Sequence, residues 1–346
     1  MSQQFSRVYI LDFFRGIAAF GVLIFHVLGP YYKWFQSLYV LVDFFFVLSG
    51  YVLANSMEGN SWKKVRLFIQ KRIRRIFPMV LSALLFSEFL RFMALLFNNS
   101  DEAFQTLFSE TRLINLLIAV TLLQVFSFPS QLLLFPLWSL SAEWIANIVG
   151  ILSRRIVGQI QTHMFILCGV VLFSACTYWG LLNSQSNWAV NLGRCLMCFG
   201  AGQLIKQIGD YLSSKEIKTV HMVISAFGSF IYLALVHNFG QNVLVLAPLV
   251  FGYIVWSFSA RVGLFGHGRM KTISRFAGTY SYGLYVWHIP ALGVCDIALK
   301  RSNIKFSSTI LLNGYQLIGT LIISIGMTFF VRKYIENSTL LKPNPQ

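Results

Sequence analysis

Charge is scarce in this chain. Only 12% of its 346 residues are Asp, Glu, Lys or Arg, about half the share of a soluble domain. That excludes an ordinary water-soluble globule. Acid is scarcer than base: 12 Asp and Glu stand against 28 Lys and Arg, a net charge of +16. Nucleic acid is excluded as the reason, because the basic residues cluster in short segments between apolar runs, the positive-inside pattern of membrane proteins. Cysteine is sparse and odd in number: Cys168, Cys176, Cys195, Cys198 and Cys295, all within apolar runs. Cys195 and Cys198 have the spacing of a redox or metal pair, but no second pair or His lies nearby. They read as small residues for helix packing. There is no Walker loop, no dinucleotide glycine fingerprint and no G-x-S-x-G elbow. No His, Cys and carboxylate set has metal-site spacing, so neither a metal nor a bound cofactor is expected. The first apolar run lacks a small-residue cleavage site and is expected to stay as a helix.

What the chain has in abundance is apolar length. Hydrophobic residues make up 56% of it and mean hydropathy is +0.65. Runs long enough to cross a bilayer lie at about 9–28, 38–56, 77–97, 136–152, 163–182, 188–205, 219–237, 241–260, 279–299 and 308–331. The most basic segment holds Lys63, Lys64, Arg66, Lys71, Arg72, Arg74 and Arg75 and marks the cytoplasmic side. The segment at about 112–128 raises a question of parity. If it crossed, every later basic loop would be inverted. If it dips in or lies at the surface, Arg154 and Arg155, Lys206, Lys215 and Lys218, and Arg261 to Arg275 all fall inside. Lys300, Arg301 and Lys305 remain as an outside exception. The expected fold is therefore all-α: a polytopic membrane protein of about ten transmembrane helices plus one re-entrant or interfacial helix, with both termini cytoplasmic. A single integral-membrane domain over 1–346, with no appended soluble domain, is expected.

Ionisable residues at membrane depth are functional candidates. Arg15 and His26 share the first run, about 16 Å apart along a helix and within roughly 20° of one face. Arg15 either serves a site or snorkels to an interface; His26 either reacts or pairs with a neighbouring helix. Asp12 lies three residues before Arg15 and can pair with it, as Glu88 can with Arg91. Asp43, Arg194 and Asp296 are further membrane-depth charges; no partner for Arg194 or Asp296 is readable. The parity argument puts Glu143 at the depth of His26, and a carboxylate beside a histidine suits a base that takes a proton from a hydroxyl. The same pair could simply join two helices. Ser49 and Gly50 allow close helix contact or ligand access to backbone. Tyr282, Tyr285 and His288 recur at three-residue steps on one helix face, either a cavity wall or a packing stripe. Arg72 and Arg75 share a face beside Pro78 and suit phosphate groups, although topology alone also requires basic residues there.

Five segments occur in one order: LDFFRG with His26 eleven residues after Arg15, VDFFFVLSGYVL, RIRRIFP, LWSLSAEW with Trp138 and Ser139, and SYGLYVWH. In these the chain resembles membrane-bound acyltransferase family 3, the bacterial O-acyltransferases of surface polysaccharides. The resemblance spans nearly the whole chain. Leu41 stands where many members have Gly, and WIANIV lacks a Tyr found in many. The resemblance implies a membrane enzyme of the bacterial inner (cytoplasmic) membrane. It would move an acyl group, most often acetyl, from cytoplasmic acetyl-CoA or another acyl-CoA to a hydroxyl of a glycan or lipid-linked sugar acceptor. It assigns Arg15, Arg72 and Arg75 to the donor, and His26 as base or acyl carrier with Glu143 as its orienter. Asp12, Ser49, Gly50, Trp138, Ser139, Tyr282, Tyr285 and His288 then belong to the cavity or to structural motifs. Competing readings are a transporter of a glycan unit or small solute, though no internal repeat of that type is evident, and an envelope scaffold.

Overall fold

The computed structural model describes residues 8–57, 61–97, 110–127, 134–180, 188–211, 219–259, 265–302, 304 and 306–336. The linker 128–133, Lys215, Lys218, Arg261, Lys305 and both termini lie outside these residues. The described residues are 91% helical, without strands. The longer helices are α1 (Tyr9–Leu28), α2 (Leu41–Leu53), α3 (Trp62–Phe97), α4 (Glu110–Val120), α5 (Leu137–Val157), α6 (Ile160–Thr177), α7 (Trp188–Tyr211), α8 (Thr219–Phe239), α9 (Ala247–Ser259), α10 (Gly268–Ser302) and α11 (Thr309–Val331).

Seven described segments are long and apolar enough to cross a membrane. The segment Thr219–Ser259 contains both α8 and α9. Helices α5 and α7, two of the expected crossings, are not among the seven; they carry Glu143, Asn147 and Arg154, and Arg194 and Gln203. Helix α4 has 11 residues, about 16 Å, roughly half the hydrocarbon thickness. Over its described residues it is shorter than a crossing needs, and the chain then turns through Leu122 at φ 55°. The basic segment before Pro78 forms the first part of α3, which is continuous through the proline. Helix α10 likewise begins at Gly268 and passes through Pro290.

The molecule is apolar outside and partly polar within. Ile310, Phe230, Leu85 and Leu249 are each 70% or more exposed, whereas Asp43, Asn147, Gln203 and His288 are fully buried. This is the arrangement a lipid solvent selects, because a polar group finds partners only inside the bundle. Glycines set the closest helix contacts. Helix α2 meets α7 where a Cβ on Gly50 would lie 2.0 Å from the Phe199 carbonyl oxygen and one on Gly202 would lie 1.9 Å from that of Val47. Helix α1 packs along α10, with Gly16 against Ala277 and Gly278 against Asp12. That contact fixes Arg15 and His26 relative to the Tyr282–His288 face.

Candidate active site

Helix α1 carries Arg15 and His26 to two different cavities. Arg15 lines a basic cavity, together with Ser49, Arg72, Arg75, Glu143 and Tyr282. His26 lines a second cavity with Tyr39, Gln124, Trp138 and Arg194. The separation follows from helix geometry, since eleven residues return nearly to the same face about 16 Å further along. Val42 and Tyr285 line both cavities. In that shared wall the Tyr285 hydroxyl lies 2.5 Å from Ser139 Oγ and 3.3 Å from the Pro136 carbonyl, to which it donates.

The basic cavity is built from α1, α2, α3, α5 and α10. Arg72 Nη2 donates to Glu143 Oε1 at 2.7 Å and lies 3.4 Å from Ser49 Oγ. The Ser49 hydroxyl also donates to Glu143. Glu143 therefore answers one guanidinium of a cavity lined by three. Arg15 is steadied by Asp12 at 4.0 Å. Tyr282 donates to the Ile76 carbonyl of α3 at 2.9 Å, tying α10 to the helix that supplies Arg72 and Arg75. Gly50, next to Ser49, faces α7 instead of the cavity, so the two halves of that motif divide between site and packing.

In the second cavity His26 meets His288. The His288 Nδ1 lies 2.8 Å from the Tyr285 carbonyl. A carbonyl only accepts, so Nδ1 carries the proton and Nε2 is left as an acceptor. His288 Nε2 lies 3.1 Å from His26 Nδ1, which also lies 3.0 Å from the Val22 carbonyl. His26 Nδ1 is therefore the protonated nitrogen, and the lone pair sits on Nε2. That Nε2 is buried and has no hydrogen-bond partner among the described residues.

A family model described as an acyltransferase domain, acyltransferase family 3, matches residues 8–331. The chain belongs to this family. Among curated proteins, the peptidoglycan O-acetyltransferase OatA of Listeria monocytogenes serovar 1/2a is 25% identical over 341 residues, covering 86% of this chain and 51% of that protein. The chain thus spans about half the length of the curated relative it matches. No solved structure matches. The apolar helices and the family together make this acyltransferase-family protein a multi-pass membrane protein.

Two expected pairings are corrected. Glu143 does not meet His26; it pairs with Arg72. Helix α5 starts beside His26, where Phe135 and Pro136 line the His26 cavity, so Glu143 lies about two turns further along, roughly 10 Å. Glu88 pairs with Arg112 of α4 instead of Arg91; Arg91 points to the exposed side of α3. The orienting partner of His26 is His288. The three-residue step of Tyr282, Tyr285 and His288 does form one working face, which reaches the basic cavity, the shared wall and His26 in turn. Arg194, without a readable partner in the sequence, makes a two-point pair with Asp43 at 3.1 and 3.0 Å. The partners are 151 residues apart, beyond any local spacing rule. Gln124 gave no signal beyond being an amide among apolar neighbours.

Proposed function

We propose that this protein transfers an acyl group, acetyl in the simplest case, from cytoplasmic acyl-CoA to a sugar hydroxyl on the opposite side of the bacterial cytoplasmic membrane. The acceptor is a cell-surface polysaccharide or its lipid-linked precursor. The reading takes the basic end of α3 as cytoplasmic, with both termini on that side and the ten-crossing topology of the family. The observation that carries it is the pair of cavities on one helix: three arginines line one, a histidine with an unpartnered buried nitrogen lines the other, and Tyr285 lines both.

Arg15, Arg72 and Arg75 bind the donor's phosphates, for which guanidinium groups have matching charge and geometry. Glu143 holds Arg72 in place and offsets part of the charge while the cavity is empty. The thioester arm passes Tyr285, whose hydrogen bond to Ser139 opens or is skirted as it does so. At the other cavity His26 Nε2 accepts the proton of the acceptor hydroxyl as its oxygen attacks the thioester carbonyl. The carbon–sulfur bond breaks, and the proton returns from His26 to the leaving thiolate. His288 fixes the tautomer that makes Nε2 the base, the part a carboxylate plays in a hydrolytic triad.

The direct test uses the purified protein in detergent with acetyl-CoA and a panel of methyl glycosides, followed by mass spectrometry of the products. The expected result is a glycoside ester in step with CoA release, and its loss in His26→Ala at unchanged protein level. Ester formation that survives His26→Ala would exclude this mechanism.

A further inference from the structure

The His26 cavity contains a second buried group in want of a partner. Gln124 is 2% exposed and lines the same cavity. Its Oε1 has no hydrogen-bond partner among the described residues. An unsatisfied buried amide is costly and is unusual unless a ligand or water completes it. His26 and Gln124, each with an unanswered buried atom (Nε2 and Oε1), thus line one chamber. Both are acceptors, and a molecule that satisfies both brings two donors. A hydroxyl also serves the amide in its other orientation, because it accepts as readily as it donates.

The remaining wall fits the same kind of molecule. Arg194 is held from behind by Asp43, and its guanidinium carbon lies 5.4 Å from the Tyr39 ring centroid and 5.6 Å from that of Trp138. Both rings line the cavity. The buried ion pair thereby braces two aromatic surfaces, which suit the C–H face of a sugar ring. Its own charge is balanced, so the chamber as a whole favours a polyhydroxylated and not a strongly anionic guest.

We infer that Gln124 is the positioning residue for the acceptor: it binds a hydroxyl adjacent to the one that His26 deprotonates. The acceptor class is then a sugar with a free hydroxyl neighbouring the acylated position. This rests on the acyl-transfer reading above and adds the second contact that chooses which hydroxyl reacts.

The test compares methyl glycosides with their singly deoxygenated counterparts as acceptors, using the full-length protein and acetyl-CoA. In the wild type, removing the neighbouring hydroxyl raises KM about three- to tenfold, the effect of one neutral hydrogen bond. In Gln124→Ala that preference falls to about one, with KM for the parent sugar raised more than kcat is lowered. Gln124→Asn, which keeps an amide at shorter reach, restores part of the preference. Because the preference is a ratio within one protein sample, it does not depend on how much of the variant folds. An unchanged preference in Gln124→Ala overturns the inference, as does a wild type indifferent to every deoxygenation except that of the acylated position. A wild type that esterifies no glycoside overturns the acyl-transfer reading itself.

Discussion

The state of His26 is set by a neighbour that never meets the cavity's guest. His288 Nε2 accepts a hydrogen bond from His26 Nδ1 on one side, and its own Nδ1–H donates to the Tyr285 carbonyl on the other. His288→Ala removes that acceptor and frees the His26 ring to rotate, for an expected fall in kcat of about a hundredfold, the usual cost of a misplaced catalytic group. His288→Gln, whose Oε1 stands where Nε2 stood, is expected to recover about tenfold of that loss. Steady-state rates of ester formation give the answer, and equal rates for the two variants would remove His288 from the mechanism. Glu143 belongs to another balance. Glu143→Ala leaves Arg72 buried without its partner, at a cost of about 3 kcal/mol, with a lower melting temperature and weaker acyl-CoA binding. A variant that melts normally and changes only the pH dependence of the rate would return Glu143 to His26. At this scale the sequence was legible where spacing along one helix decides, as with Arg15 and His26 or the Tyr282–His288 face. It was not legible where partners come from distant helices, as with Asp43 and Arg194.

Helix contacts were readable as small residues and unreadable as to which side each serves. Ser49 and Gly50 are adjacent, so they point about 100° apart; one enters the basic cavity and the other admits the backbone of α7. Because the obstacle at Gly50 is backbone, no side-chain rotation relieves it. Gly50→Ala is expected to cost about 1–3 kcal/mol as α2 and α7 separate. Gly228→Ala in α8, where nothing lies within 4 Å, is expected to be neutral or slightly stabilising through helix propensity. Melting curves in detergent compare them, and equal melting temperatures for the two variants would refute the packing argument. Pro78 and Pro290 both sit within long helices. Proline removes one backbone hydrogen bond, and in a membrane bundle the surrounding helices make good that loss.

The class of the whole molecule was written in composition, because a lipid-facing protein must be apolar outside. Charge parity set the segment at about 112–128 apart from the crossings, and the described part of α4 is shorter than a crossing needs. Depth within the bundle was not legible. It depends on where a helix begins in three dimensions, and α5 begins beside His26, two turns before Glu143. That one displacement turns an expected His–Glu pair into two chemically distinct chambers with Tyr285 between them. Two chambers on one helix matter only if donor and acceptor meet from opposite sides. The most direct measurement places acetyl-CoA on the Arg72 side of sealed membrane vesicles and a membrane-impermeant methyl glycoside on the His26 side. The ester should appear on the glycoside's side, and disappear in His26→Ala. Ester that forms only when both substrates share one side would contradict transfer across the membrane.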